Sequence, residues 1–308
     1  MEGLKAYGGT AIGAWLDLAA GLFAGDAGIN HAILLTDGRD ESESPEDLAA
    51  AIDVACGRFQ CDCRGVGTDW SVAELRQIST ALLGTVDIVA RAEDLAEDFT
   101  ALMTTSMGRA VGDVRLRLWT PVGASVEFVR QVLPEVVELA DTAVVVDDRV
   151  VEVATGAWGD ETREYHLRLQ VPPVAVGEER LVGRVTLMVG DDDAGRALVR
   201  AVWTDDAALP TRIDSRVAHY TGQAELAELV QDGLRAVDRS DVDEATSKLG
   251  RAVVLATESG NDVVAQSLAR VVDVDDVVTG KVRLKKRVGP AEMMDLDVVS
   301  TKTSRVRP

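Results

Sequence analysis

The chain has 308 residues, 46% of them hydrophobic, which excludes wholesale disorder and allows two or three packed domains. Its 52 acidic residues outnumber 32 basic ones, a net charge of −20, so phosphate backbones and anionic lipid repel it, and neither nucleic acid nor membrane is an expected partner. Cys56, Cys61 and Cys63 are too few and too close for a disulfide framework, and no apolar run approaches the ~20 residues of a membrane helix, so a cytoplasmic protein is expected.

Residues 1–107 alternate helix and strand. In 11–23, Ile12, Trp15, Leu16, Ala19 and Leu22 recur at helical spacing. The run 32–35 is apolar on both faces, as a buried parallel strand is, and ends in Thr36-Asp37-Gly38. Ser44-Pro45 starts a helix that reaches Cys56, with Ser as N-cap and Pro at the first position. A strand at 59–66 precedes a helix at 71–83, opened by Ser71 and Glu74 as a capping box. A strand at 85–90 and a helix at 92–105 complete an α/β doubly wound parallel sheet.

From 108 to 206 the pattern changes to short alternating strands at 114–119, 125–130, 150–154, 165–171, 180–189 and 197–203, separated by Pro, Gly and Asp turns. This predicts an antiparallel β-sandwich, with 155–161 a loop anchored by Trp158 and Asp191-Asp192-Asp193 a hairpin turn. Residues 207–280 form a helical hairpin or bundle, with pieces at 211–237, 241–257 and 261–272, the last capped by Asn261. Residues 281–308 hold eight Lys/Arg against three Asp/Glu and are rich in Ser and Thr, which predicts a basic, partly disordered tail.

The pair of segments most informative about chemistry is Gly8-Gly9-Thr10-Ala11-Ile12-Gly13 and Ile33-Leu34-Leu35-Thr36-Asp37-Gly38. The second puts a carboxylate at the C-terminal end of a buried strand, the edge at which open parallel sheets bind ligands. The first puts a hydroxyl on a loop entering a helix. A hydroxyl beside a carboxylate offers hard oxygens that suit Mg²⁺. Taken alone, Thr10 also reads as a helix N-cap and Asp37 as a turn residue. Cys61 and Cys63, two apart on a strand, read as buried free thiols. His31, His166 and His219 form no metal or catalytic pattern, and no nucleophile elbow is present, so no enzyme is expected.

These motifs, over roughly residues 3–107, resemble a von Willebrand factor type A (VWA) domain of the bacterial cytoplasmic kind. The resemblance implies a metal-ion-dependent adhesion site with Thr10 and Asp37 as metal residues, holding Mg²⁺ whose coordination a partner protein completes with a carboxylate. It implies a protein–protein interaction module with no small-molecule substrate. The family's Asp-x-Ser-x-Ser motif does not precede Thr10 in this sequence. The resemblance therefore implies a chain shortened at its amino end, an unpaired edge on the 32–35 strand, and Mg²⁺ binding that is weak or absent. The rival reading is a Mg²⁺-dependent nucleotide- or phosphate-handling α/β protein. Arg39 stands where an aspartyl-nucleophile phosphohydrolase wants a second Asp. A variant makes the chain an accessory subunit of an ATPase complex.

Overall fold

Three strands build the first sheet: β1 (His31–Thr36), β2 (Gln60–Val66) and β3 (Val86–Val89), parallel and in the order β1-β2-β3. The computed structural model describes residues 9–25, 28–206 and 213–306, so Gly8, Thr211 and the last two residues of the expected tail lie outside it. β2 is central and buried from Gln60 through Gly65, as expected for a parallel strand covered on both sides. Among the described residues no strand pairs with the other edge of β1.

Four helices accompany this sheet: α1 (Ile12–Leu22), α2 (Pro45–Ala55), α3 (Val72–Ala81) and α4 (Leu95–Met107). α1 buries Ile12, Leu16 and Ala20, a narrower line than the predicted stripe; Trp15 and Leu22 are exposed. Ser44 caps α2 in a capping box, its hydroxyl accepting from Asp47 N at 3.1 Å while the Asp47 carboxylate accepts from Ser44 N at 3.2 Å. The box expected at Ser71 is only half formed. Ser71 Oγ accepts from Glu74 N, but the Glu74 carboxylate turns away to accept the amide of Asp40 at 3.4 Å.

This first unit comprises Met1–Gly112 and Gly156–Gly159, so it ends later than the sequence predicts and recruits a distant segment. Residues 156–158 are strand, not the expected loop, and they are held by close packing. A Cβ on Gly156 (φ +79°) would sit 1.9 Å from Gln60 Nε2, and Ala110 N donates to Trp158 O at 2.9 Å.

The second unit, Asp113–Thr155 with Asp160–Pro308, contains most of the antiparallel strands and the C-terminal helices. The strands that follow α4 are β4 (Val111–Trp119), β5 (Ser125–Leu133), β6 (Val137–Glu138), β7 (Ala143–Asp147), β8 (Val150–Trp158), β9 (Glu164–Gln170), β10 (Glu179–Val189) and β11 (Asp192–Val202). They form a five-stranded sheet, β11-β10-β4-β8-β7, and a three-stranded sheet, β6-β5-β9. In β4 the buried Val114, Leu116 and Leu118 alternate with Arg115 and Arg117, both of which pair with Glu152 on β8. The β10–β11 hairpin turns at Gly190-Asp191, where Gly190 has φ +56°.

The helices are α5 (Ser215–Asp238), α6 (Val242–Ser259), α7 (Asp262–Val271) and α8 (Pro290–Val299), with a hairpin of β12 (Val272–Asp276) and β13 (Lys281–Leu284) before α8. Asp241 caps α6 and Asn261 caps α7 through their side chains. Leu226, Val230, Leu249, Leu268 and Leu296 meet in the core of this layer.

The expected partly disordered tail is therefore corrected. Through residue 306 it contains β13 and α8, and Leu296, Val298 and Val299 are buried. Its hydroxyls turn inward: Thr303 Oγ1 donates to Val132 O at 2.8 Å and Ser300 Oγ to Asp297 O at 2.7 Å. Two of its cations are engaged as well, Lys285 Nζ on Ala269 O and Arg283 on Asp275. Cys61 and Cys63 are buried free thiols and Cys56 is an exposed one. Among the described residues no helix is long and apolar enough to cross a membrane.

Candidate cation site

β1 delivers its last residues to the C-terminal end of the sheet. There Thr36 is buried, and its hydroxyl donates to Gly38 O at 2.7 Å and accepts from Gly38 N at 3.2 Å. This local turn leaves Asp37 exposed at its tip. The loop before α1 reaches the same end. Thr10 pairs with Asp40 in a parallel bridge, and Thr10 O accepts from Ser42 N at 3.2 Å. Thr10 Oγ1 lies 2.9 Å from where a Cβ on Gly38 would stand, so the hydroxyl rests directly on the residue that follows Asp37. The two residues singled out from the sequence thus occupy neighbouring loops at one rim.

Thr10 is not the N-cap of α1. Ala11 holds that position and supplies no side-chain cap. The first amides of α1 are satisfied from a distance instead. Asp40 Oδ2 accepts from Ile12 N at 3.3 Å, and Glu43 accepts from Gly13 N at 2.6 Å and Ala14 N at 2.9 Å. Two carboxylates therefore complement the positive end of the helix dipole and use amides that a phosphate would otherwise take. Neither Asp40 nor Glu43 was singled out from the sequence. Their only trace there is the acid-rich run after Asp37, in which Asp40, Glu41, Glu43, Glu46 and Asp47 face a single cation, Arg39.

The rim is packed from beside. A Cβ on Gly65, which pairs with Thr36 in register, would fall 1.8 Å from the ring of Trp70, whose indole donates to Gly67 O at 3.1 Å. Trp70 is 1% exposed and closes the C-terminal end of β2.

The donor set suits a hard cation: one hydroxyl, the carboxylate of Asp37, and a second oxygen of Asp40, Oδ1, that is buried and has no hydrogen-bond partner. Among the described residues no group of three or more His, Cys, Asp or Glu is arranged to hold a metal. The thiols of Cys61 and Cys63 gather no such group either.

A von Willebrand factor type A domain matches residues 1–88, which include Thr10 and Asp37, and a von Willebrand factor type A C-terminal domain matches residues 254–300. A solved structure, von Willebrand factor type A from Catenulispora acidiphila, is 49% identical over 99% of this chain and 72% of its own, with a TM-score of 0.93. The chain belongs to the von Willebrand factor type A family. VWA domains are in general protein-interaction modules, and this chain carries a VWA domain. The VWA2 protein of Sulfolobus acidocaldarius, an ArnB paralog, covers 98% of the chain and 71% of its own at 14% identity, with a TM-score of 0.52. A human COPII-coat protein covers 96% of the chain and 42% of its own at 10% identity, with a TM-score of 0.50. These two share the fold alone. No curated protein matches the sequence.

Proposed function

We propose that this VWA chain is a docking module whose rim at Thr10 and Asp37 holds Mg²⁺ weakly and takes a carboxylate from a partner protein. The observation that carries the reading is the seating of the Thr10 hydroxyl against Gly38, which brings a neutral and an anionic hard-oxygen donor to one edge of a parallel sheet. Mg²⁺ when bound would supply a Lewis-acidic point that a carboxylate can ligate in place of water. The chain's own residues position it: the Thr36 turn holds Asp37 outward, and the Thr10–Asp40 bridge ties the two loops together. The antiparallel sheets form a sandwich scaffold in this reading, and the C-terminal helices offer a second interaction surface. Phosphate handling is disfavoured because Asp40 and Glu43 already occupy the amides at the start of α1.

Capture from cell lysate with Mg²⁺ or with EDTA tests the reading. A partner should be retained with Mg²⁺, released by EDTA, and missing with Asp37→Ala. Gly38→Ala should act like Thr10→Ala, because the added methyl would displace the hydroxyl. Nucleotide turnover with no EDTA-sensitive partner would sink the proposal.

A further inference from the structure

Asp40 carries an unusual burden for a loop residue. Its backbone pairs with Thr10, and side chains of directly paired residues stand on the same face, so its carboxylate shares a side with the Thr10 hydroxyl. One oxygen, Oδ2, caps the amide of Ile12 at 3.3 Å. The other, Oδ1, is buried and bonded to nothing. The nearby donors are committed elsewhere: Gly13 N and Ala14 N to Glu43, and Asp40 N to Glu74. Among the described residues no Lys or Arg pairs with Asp40; Arg39, next in sequence, is exposed.

A buried anionic oxygen without a donor or a cation is costly, and it is seldom left so without a reason. The surrounding run from Asp37 to Asp47 has six acids and one base, which favours a cation over any anion at this place. We propose that Asp40 is a third protein ligand of the rim cation, acting through Oδ1 beside Thr10 and Asp37. The inference rests on the cation reading above and adds to it the residue that supplies the second negative charge. Two carboxylates and a hydroxyl match the charge and hardness of Mg²⁺ or Mn²⁺, with water filling the rest of the coordination shell.

The test uses Mn²⁺ alone as the probe, on the full 308-residue chain, with the free-ion paramagnetic resonance signal as the readout of binding. Asp40→Asn keeps an acceptor oxygen for Ile12 N and removes the charge. Its Mn²⁺ affinity should fall by about tenfold or more, as should that of Asp37→Asn. Melting separates a ligand from a simple helix cap. In EDTA the Asp40→Asn chain should melt at or above the wild-type temperature, because the charge on an oxygen buried without a donor is gone while Ile12 N keeps an acceptor. In Mn²⁺ the order should reverse, because only the wild type gains full stabilisation from the ion. If Asp40→Asn binds Mn²⁺ within about twofold of wild type while Asp37→Asn does not bind, the Asp40 assignment fails and the cation reading stands. A lower melting temperature of Asp40→Asn in EDTA, with no reversal in Mn²⁺, also overturns the assignment by making Asp40 a cap only. If the wild type itself binds no Mn²⁺, the cation reading falls, and the Asp40 assignment with it.

Discussion

Asp62→Ala should destabilise the first unit by about 3–5 kcal/mol, the cost of removing one partner from a buried, hydrogen-bonded charge cluster. Asp62 is fully buried in the middle of β2. Its Oδ2 meets His31 Nε2 at 2.7 Å and Arg109 Nη2 at 3.1 Å; its Oδ1 accepts from Thr85 N at 2.7 Å and Thr85 Oγ1 at 2.8 Å. One carboxylate therefore ties together the start of β1, the centre of β2, the approach to β3 and the segment after α4. Alanine leaves the Arg109 guanidinium, itself only 11% exposed, and the Thr85 amide without their acceptor. The flanking thiols provide the measurement. Cys61 and Cys63 are buried and Cys56 is exposed, so one thiol should label quickly and two only when the unit opens. The contact with Cys61 and burial push the Cys63 thiol well above its ordinary range, which keeps it protonated and slow while folded. In Asp62→Ala the slow labelling should accelerate by about a hundredfold or more. An unchanged rate would show that the cluster does not hold the sheet.

The same carboxylate sets a pH dependence. Burial alone would raise its pKa, but the His31 hydrogen bond, the Arg109 guanidinium and the Thr85 hydroxyl outweigh burial and hold it well below the usual carboxylate range. In the folded state Asp62 thus binds its proton less readily than in the unfolded chain, whose reference value is about 3.9. Its contribution to stability is complete above that value and is lost as pH falls from there toward the folded pKa. Wild-type stability should drop below about pH 4 more steeply than that of Asp62→Asn, which has no such group to titrate.

The legible parts of this fold are those with local causes. β2 is buried on both faces, whereas in β1 Leu34 and Thr36 are buried and Leu35 is exposed; Ser44 and Asn261 cap the helices they precede. β7 carried no signal because Val144, Val145 and Val146 are all exposed and show no alternation. The strand character of 156–158 came from long-range packing on Gln60, which no local rule anticipates. At the rim, Thr10 and Asp37 were legible because a Gly-Gly-Thr loop and a Thr-Asp-Gly turn each have a local conformation of their own. Asp40 and Glu43 were not. They matter only because the loop after β1 crosses the start of α1, 28–30 residues earlier in the chain.

Ending the chain at Val299 should cost the second unit at least about 3 kcal/mol, although the residues removed look solvated by composition. Gln223, 1% exposed, is the reason. Its Nε2 donates to Ser304 O at 2.8 Å and its Oε1 accepts from Ser304 N at 2.7 Å. Asn261, 4% exposed, donates to Lys302 O at 2.9 Å and to Gln223 Oε1 at 3.2 Å. Val136 N donates to Thr301 O at 2.7 Å, and Thr303 N donates to Pro134 O at 3.0 Å. Without this segment two interior amides and two loop backbones lose partners together, and each buried polar group left unmatched costs about 1–3 kcal/mol. At Ser304 the shorter bonds use backbone atoms, while its hydroxyl makes two longer ones, to Gln223 Oε1 and Ser259 O, both at 3.3 Å. Ser304→Ala should therefore change thermal stability by less than about 0.5 kcal/mol. Ser304→Pro, which deletes the amide that Gln223 accepts, should cost about 1–3 kcal/mol. Equal melting temperatures for the Ala and Pro variants would mean that the segment lies on the surface without supporting it. A wide split between them would show that at Ser304 it is the backbone, more than the side chain, that makes a stretch rich in Ser, Thr, Lys and Arg act as structure.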